Sequence, residues 1–420
     1  MTKTLALVLV AALGACGSDG SNNGDDGMPV DGQPGVDTGS GSNDSDGGVP
    51  CNDHSIAAAA DRTRYMVVAH PFAADFNGGA KLFEVLTLSE TGELTRAQNK
   101  RQFELEGRAN YGNIAFTPDG QLGLVALEEN GQATPGGRIG VFYLAPDGTP
   151  TVVEPAFHGD FFAGAVVMDP SGKRAYVLDQ ETRNNGGGIH AVDIACDGHL
   201  TDKGLIAPAK LPGGLVLDGD RAVVMAGDYG PDETAGKDAH LLAWNQTAPT
   251  RTVGVDAYGD DNFTTPNAAF TFDKSVYLAV NNALSGGNRV AVLGVGASTL
   301  TPKTVLTGIS DPQSVTTSPF GNVAVVSAFQ DDAIYILDDQ GTAGAWRKRG
   351  TLTSAGMAVQ QPSDFVSVNR GSLNGHAWVV ENTLIRHLKF SAAGAVTDEG
   401  QMKFEGDGGD EIPGAVGLQP

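Results

Sequence analysis

The sequence is poor in basic residues. Of its 420 residues only 27 are Lys or Arg, against 50 Asp or Glu, and the formal net charge is −23. Nucleic-acid binding depends on cationic side chains that neutralise phosphates, so this class of partner is excluded. An anionic membrane surface is excluded as a direct partner for the same reason. The acidic balance is compatible with a cationic partner, with metal ions or with solubility alone.

Motifs that would name a reaction are also absent. The sequence has no Gly-x-Ser-x-Gly elbow, no phosphate-binding Walker loop, no His-Glu-x-x-His and no Cys-x-x-Cys. No stretch keeps the 3.6-residue apolar period of an amphipathic helix. The 58 Gly indicate many turns, and the 40% of hydrophobic residues are enough for a core. The composition therefore favours an all-β protein.

The N-terminus has the pattern of an export signal. Lys3 precedes an apolar run, Leu5–Leu13, that is too short to span a bilayer. Leu13-Gly14-Ala15-Cys16 resembles the bacterial lipobox, in which the Cys is diacylated; an ordinary signal peptide with an incidental Cys is the alternative. The resemblance implies a signal peptide over residues 1–15 and a membrane partner reached through lipid on Cys16. Because Gly17 follows rather than Asp, it also implies location at the outer membrane of the cell envelope.

Residues 16–50 form the lipidated Cys and a predicted disordered tether. The tether contains Gly, Ser, Asn, Pro and seven Asp, and it has no Lys or Arg. A flexible coil of this length reaches on the order of 30 Å. The remaining cysteines, Cys51 and Cys196, would tend to form a disulfide in an oxidising compartment, and this bond would pin the N-terminal arm. Two free thiols are the alternative, because the sequence does not supply the geometry.

A repeat of roughly fifty residues fills the rest of the chain, residues 51–420. Short apolar segments, several of them ending in Pro, recur at positions 114, 166, 215, 269, 315, 365 and 416. Each of the first six is followed by a tight turn and a second apolar strand, and in most cases by a third strand and a more polar fourth. Four short strands per unit with this period predict the blades of a β-propeller.

The two ends of the repeat fit together. Val416–Pro420 has the first-strand pattern, but no second strand follows it. The missing strand is supplied by Asp61–Val68, which matches the second-strand pattern of Ser171–Leu178. We therefore predict an all-β, seven-bladed propeller with four-stranded blades, closed by strand 415–420 joining the N-terminal blade. We expect it to be a monomer.

Two blade segments indicate a family. Val125–Phe142 and Ala324–Asp338 resemble the blades of lactonase-like and YVTN-type seven-bladed propellers, and the resemblance covers residues 57–420. Bacterial lactonase-like proteins carry a His-rich loop before a first strand and an Asp-Gly turn one strand later. The matching positions here are His158 and Asp179. The resemblance implies that His158 acts as a base and that Asp179 orients it or a water; a loop His without a catalytic role is the alternative.

Polar residues collect where the second strands end. They are His70, Glu128, Asp179, Asp228, Asn282 and Glu381. We expect several of them to point toward the mouth of the central channel. Carboxylates and amides without counter-charges suit a hard cation, with Ca²⁺ as the candidate cofactor; a hydrated acidic rim without a ligand is the alternative.

Two functional hypotheses follow from the sequence. In the first, a membrane-anchored lipoprotein presents an acidic loop face that binds a protein, glycan or cation. In the second, a lactonase-like hydrolase opens a small lactone at the channel mouth. Few Lys or Arg lie near that mouth, which argues against a phosphorylated substrate.

Overall fold

The computed structural model describes residues 49–70, 82–97, 99, 101–128, 137–180, 187–227, 237–259, 267–282, 288–339, 345–404 and 413–420. These residues form β-strands and one short 3₁₀ turn, Gly371–Leu373. Residues 1–48, with the predicted signal peptide, Cys16 and most of the tether, lie outside this set. Within the described part of the chain, no helix has the length and apolarity needed to cross a membrane.

The strands form seven antiparallel sheets, one per blade, which confirms the predicted seven-bladed propeller. Blade 7 contains β1 (Arg64–His70), β2 (Leu82–Leu88), β3 (Leu94–Arg96) and β4 (Gln102–Glu104), together with the C-terminal strand given last. Blade 1 contains β5 (Arg108–Phe116), β6 (Leu122–Glu128), β7 (Arg138–Leu144) and β8 (Pro150–His158), and blade 2 contains β9 (Ala163–Met168), β10 (Arg174–Asp179), β11 (Gly188–Ile194) and β12 (Leu200–Pro208). Blade 3 contains β13 (Gly214–Asp218), β14 (Arg221–Met225), β15 (Ala239–Ala243) and β16 (Thr250–Val255), and blade 4 contains β17 (Ala268–Phe270), β18 (Val276–Asn281), β19 (Arg289–Val295) and β20 (Leu300–Thr307). Blade 5 contains β21 (Pro312–Thr317), β22 (Val323–Ala328), β23 (Ala333–Asp338) and β24 (Arg347–Thr351), blade 6 contains β25 (Phe365–Val368), β26 (His376–Glu381), β27 (Leu384–Phe390) and β28 (Val396–Lys403), and β29 (Val416–Leu418) completes blade 7.

The first strand of each blade lies innermost. Contacts between first strands link β29 to β5, β5 to β9, β13 to β17, β17 to β21, β21 to β25 and β25 to β29. These strands therefore surround the central channel. The connections between blades, and those from second to third strands, lie at one end of the channel, which we call the loop end. The remaining turns lie at the opposite end, which we call the arm end.

The core lies between neighbouring blades. Every residue of the second strands β1, β18, β22 and β26 is buried. Each such strand is covered on both faces, because a blade packs against a neighbour on either side. This burial explains why the second strands are continuous apolar runs in the sequence, since such runs are typical of strands buried on both faces.

The ring closes where β29 pairs with β1. Val416, Gly417 and Leu418 lie opposite Val68, Val67 and Met66. Gln419 extends the closure, because its side-chain oxygen accepts the backbone N–H of Tyr65 at 3.0 Å and its Nε2 donates to the Gly120 carbonyl at 2.5 Å. The predicted joining of the C-terminal strand to the N-terminal blade is therefore confirmed.

The N-terminal arm, residues 49–63, lies along the arm end. A disulfide joins Cys51 to Cys196 in the turn between β11 and β12, with the two Cα atoms 4.5 Å apart. The backbone N–H of Asn52 donates to the Cys196 carbonyl at 3.1 Å. The start of the arm is therefore fixed to blade 2, although the arm leads into blade 7.

His54 fixes the middle of the arm. Its side chain is 3% exposed, and its two ring nitrogens contact Asp119 Oδ2 at 2.8 Å and the Cys196 carbonyl at 2.9 Å. Burial lowers the pKa of His54, but the hydrogen bonds to Asp119 and to the Cys196 carbonyl outweigh it and raise the pKa overall. The arm thus links blade 2 to blade 1 before it enters β1.

Gly417→Ala is expected to weaken the ring closure. An added Cβ would lie 2.4 Å from the Cβ of Ile114 and 2.7 Å from its carbonyl oxygen, so β29 would have to move away from blade 1. Overpacking of this kind costs about 1–3 kcal/mol in the free energy of unfolding, measured by urea denaturation. Gly350→Ala in β24 is the matched control, because the added Cβ meets no atom within 4 Å. Equal losses in the two variants would contradict this account of closure.

Candidate functional site

Three blades begin their inner strand with the same local geometry at the loop end. A residue with φ near +50° directly precedes a proline at Leu211-Pro212, Asp311-Pro312 and Gln361-Pro362. Positive φ is rare for residues other than Gly, so each such turn needs support from its surroundings. The backbone N–H of Gln361 donates to Asp332 Oδ1 at 2.8 Å, and that of Asp311 donates to Asn288 Oδ1 at 2.8 Å. Side chains from blades 5 and 4 thereby help fix where the inner strands of blades 6 and 5 begin.

Asp364 lies directly before the inner strand β25. Its backbone carbonyl accepts the N–H of Val380 at 3.0 Å, which places it beside β26 at the loop end. Its side chain is partly exposed, and the described residues offer its carboxyl no hydrogen bond or ion pair. Desolvation by the surrounding protein raises the pKa of Asp364 to about 7. A carboxyl that water reaches but protein encloses fits a position beside the central channel.

Two fully buried serines of blade 5 fix the backbone on either side of Asp364. Ser327 Oγ donates to the Ser363 carbonyl at 2.5 Å, and the N–H of Phe365 donates to Ser314 Oγ at 3.3 Å. The serines are themselves linked, since the N–H of Ser314 donates to Ser327 Oγ at 2.9 Å. Blade 5 therefore sets the position of this carboxyl together with blade 6.

Amide side chains lie on the neighbouring inner strand. Ser314 lies level with Phe365, because its Oγ accepts the N–H of that residue. Gln313 directly precedes Ser314 and therefore lies level with Asp364, which directly precedes Phe365. Its Nε2 donates to Asp311 Oδ1 at 2.6 Å, and its Oε1 accepts Asn282 Nδ2 at 3.3 Å. Burial raises the pKa of Asp311. The loop-end mouth at blades 4 to 6 thus combines carboxyl and amide groups, which suit the hydroxyl and carbonyl groups of a small polar ligand.

The two predicted catalytic residues lie in different blades. Asp179 ends β10 with its side chain 6% exposed; Oδ1 accepts the backbone N–H of Phe162 at 2.8 Å, and Oδ2 lies 3.4 Å from His190 Nε2. His158 ends β8, the outermost strand of blade 1, and is exposed. The imidazole that the structure places against Asp179 is therefore that of His190, within the same blade.

His70 is buried in an ion-pair cluster inside blade 7. Its Nε2 lies 3.1 Å from Glu84 Oε2, which also accepts Arg96 Nη2 at 2.6 Å. Burial acts to raise the pKa of Glu84, but the hydrogen bonds from Arg96 and His70 outweigh it and lower the pKa to about 2. The ring of His70 points outward along the blade, because its partner is on the third strand.

Glu381 belongs to a similar cluster in blade 6. Its carboxylate pairs with Arg386, whose Nη2 lies 3.1 Å from Glu381 Oε2, and Arg386 Nη1 reaches Asp398 Oδ2 at 2.6 Å. All three side chains are fully buried. Glu381 also accepts the backbone N–H of Gln360 at 3.0 Å. Its side chain, like that of His70, is directed toward outer strands and not toward the channel mouth.

Of the other predicted residues, Asn282 lies at the mouth beside Gln313. Glu128 ends β6, but its side chain and the whole of Asp228 fall outside the described part of the chain. Among the described residues, no group of three or more His, Cys, Asp or Glu is arranged to hold a metal ion. Asp364 directly precedes a first strand, so the pattern of polar residues at the ends of second strands does not include it.

Comparison with solved structures identifies propellers of similar fold. The periplasmic gluconolactonase of Pseudomonas aeruginosa aligns with a TM-score of 0.60 at 12% identity, over 86% of this chain and 99% of that one. A Bacteroides fragilis protein provisionally assigned as a 6-phosphogluconolactonase gives 0.60 at 14% identity, over 86% and 99%. AztD of Citrobacter koseri gives 0.51 at 11% identity, over 85% and 98%.

No protein-family model matches the chain, and no curated protein matches its sequence. At identities this low, the structural likeness shows the fold alone. The chain therefore has the seven-bladed propeller fold found in 6-phosphogluconolactonase-like proteins.

Glu381 and Asp364 predict different effects of substitution on stability. Glu381→Ala is expected to lower the free energy of unfolding by about 1–3 kcal/mol, because it removes the acceptor of two buried Arg386 hydrogen bonds, while Asp398 still pairs with the guanidinium. Asp364→Asn is expected to cause no loss at pH 8, because it removes a desolvated carboxylate that has no partner among the described residues. Chemical denaturation of both variants measures the difference, and a large loss in Asp364→Asn would show that Asp364 has a structural role.

Asp364 also predicts a pH dependence of stability. Its pKa rises from 3.8 to about 7 on folding, so between these values the folded protein binds more protons than the unfolded chain. The contribution of this group to stability therefore falls as the pH rises from about 4 to about 7. Asp364→Asn should remove that fall, as measured by thermal unfolding at pH 5 and pH 8. A variant with an unchanged pH dependence would contradict the raised pKa.

Proposed function

We propose that the loop-end mouth binds a small uncharged lactone and that Asp364 promotes its hydrolysis. The observation that carries this proposal is the enclosed carboxyl of Asp364, with a pKa of about 7 and no partner among the described residues. A general base works best when its pKa is close to the working pH, and at that pH a fraction of its molecules is charged and ready to accept a proton. The pKa of Asp364, about 7, is already close to a neutral working pH.

The chemistry needs one carboxylate and one water molecule. The Asp364 carboxylate accepts a proton from water as the water oxygen attacks the lactone carbonyl carbon. The ring C–O bond then breaks, and the ring oxygen takes up a proton to become a hydroxyl. Asn282 Nδ2 carries a second N–H beyond the one donated to Gln313, and this group is suited to hold a carbonyl or hydroxyl oxygen of the ligand.

The substrate class follows from the charges at the mouth. Asp311 and Asp364 would repel an anionic substrate whenever they are ionised, which favours an uncharged lactone over a phosphorylated one. The shared fold with the gluconolactonase of Pseudomonas aeruginosa supports this class of substrate. Asp364 replaces Asp179 as the proposed catalytic carboxyl, because Asp179 is hydrogen-bonded within the blade 1–blade 2 connection and faces His190.

Hydrolysis of an uncharged sugar lactone is expected to depend on Asp364. With the spontaneous reaction subtracted, kcat/KM followed by pH-stat should rise with pH and level off above about 7. Asp364→Asn should lower it by about 10²–10⁴-fold, the usual contribution of a general base. Asp331→Asn, which removes an acid that caps the Ser310 backbone at the same end, is the matched control and should change it little, as should His158→Ala.

Two outcomes would contradict the proposal. One is no hydrolysis across a panel of lactones, and the other is hydrolysis that Asp364→Asn leaves unchanged. Binding at the mouth without turnover would instead favour the other functional hypothesis, in which the loop end binds a glycan, a protein or a cation.

We also propose that the protein is exported and anchored by lipid on Cys16, at the outer membrane. The support is the apolar run, the Leu-Gly-Ala-Cys pattern and the acidic tether in the sequence. Val49 packs against the apolar cluster of blades 1 and 2 at the arm end. The described part of the chain therefore begins at the end opposite the proposed mouth.

Cys16→Ser is expected to abolish lipid attachment. Cells expressing the full chain would be fed labelled palmitate, and the protein would be partitioned between detergent and aqueous phases. The unsubstituted chain should carry label and enter the detergent phase, whereas Cys16→Ser should do neither. Cys51→Ser is the matched control and should keep the label; an unlabelled parent chain would contradict the anchor.

A further inference from the structure

The Cys51–Cys196 disulfide lies in an open groove at the arm end, whereas the residues of the proposed mouth lie at the loop end. Both cysteines are exposed, and both line a groove of about 760 Å³. The other lining residues come from the arm and from blades 2 and 3, among them Asp53, Ser171, Lys173, Arg174 and Gln246. Solvent therefore reaches the bond through a concave surface that is large enough to receive part of another molecule.

The charges of this groove are balanced. Arg174 Nη2 lies 2.6 Å from Asp193 Oδ1, and Lys173 Nζ lies 3.9 Å from Asp53 Oδ1. The groove is thus close to neutral although the chain as a whole is strongly acidic. An acidic thiol-carrying protein would not be repelled here as it would be by the rest of an acidic surface.

The arm depends on this bond more than the ring does. The Cys196 carbonyl accepts both the N–H of Asn52 and a ring nitrogen of His54, so these contacts act on the same turn as the disulfide. Ring closure uses a different part of the chain, the pairing of Met66, Val67 and Val68 with β29. If the disulfide breaks, we therefore expect the start of the arm to loosen and the propeller to stay closed.

Exposure determines how such a bond behaves. A disulfide is reduced by a thiolate that attacks one of its sulfur atoms, so access is a condition of the reaction. Buried structural disulfides resist reduction, whereas exposed ones are the labile and regulatory class. The bond described here is exposed, and it joins two segments separated by 145 residues, one of which is a surface arm.

We propose that Cys51–Cys196 is a redox-sensitive latch on the N-terminal arm, opened by a dithiol oxidoreductase that docks in the groove. One thiolate of the oxidoreductase attacks a sulfur of the latch, the S–S bond breaks, and the other sulfur leaves as a thiolate and takes up a proton. The second thiol of the oxidoreductase then resolves the mixed disulfide. Two electrons pass to the latch, which gains two thiols, while the oxidoreductase becomes a disulfide.

The test uses the full folded chain without denaturant. A thioredoxin-type dithiol protein is added with its own reductase system, free thiols are alkylated, and peptide mass spectrometry separates Cys51 and Cys196 from Cys16. We expect both cysteines to be labelled under these conditions. Hydrogen exchange at residues 51–60 should then become at least tenfold faster, whereas exchange in β1 and in β18 to β28 stays unchanged.

The Cys51→Ser/Cys196→Ser double variant is the matched control. It should show the fast arm exchange without any reductant and no further change when the dithiol protein is added. Labelling that appears only at the rate of global unfolding would overturn the latch, and so would reduction that leaves arm exchange unchanged. Reduction by dithiothreitol but not by the dithiol protein would overturn the proposed partner.

Discussion

The pairing of β29 with β1 is the interaction on which the rest of the structure depends. Each blade buries both faces only while it has a neighbour on each side, and the second strands β1, β18, β22 and β26 are buried along their whole length. If the last strand were released, the facing surfaces of blades 7 and 1 would be exposed, including Phe83, Val125 and Phe142. Gln419 strengthens this junction because its amide links the backbones of blades 7 and 1.

The loop end contains acidic groups in two different states. Glu84 and Glu381 are enclosed inside the blades, and each is hydrogen-bonded to a cation, Arg96 or Arg386. Among the residues that the structure describes, Asp364 has no such cation, and desolvation raises its pKa to about 7. A protein that keeps an unbalanced carboxyl gives up stability at neutral pH, and such groups are concentrated at functional sites. This contrast separates the candidate site from acids that serve the fold.

The fold was accessible from the sequence because its period is set by backbone geometry. Tight turns and apolar strands recur every fifty residues or so, and the first-strand pattern before Pro420 matches the second-strand pattern of Asp61–Val68, with which it pairs. The candidate site was less accessible. The partners of Glu381 lie on two later strands, and no local pattern shows that Arg386 will meet both Glu381 and Asp398. The position of Asp364 depends on serines of another blade, so it emerges only once the blades are placed beside one another.

The path of the N-terminal arm has a mechanical consequence. A pull on the chain upstream of residue 49 reaches the Cys51–Cys196 bond before it reaches β1, so the load passes into blade 2. The closing strand pair is thereby shielded from tension, because a covalent bond carries the force that would otherwise peel β1 from β29. With the bond reduced, the same pull acts on His54 and then on β1 itself. The resistance of the ring to stretching would then depend on the redox state of a bond outside the ring.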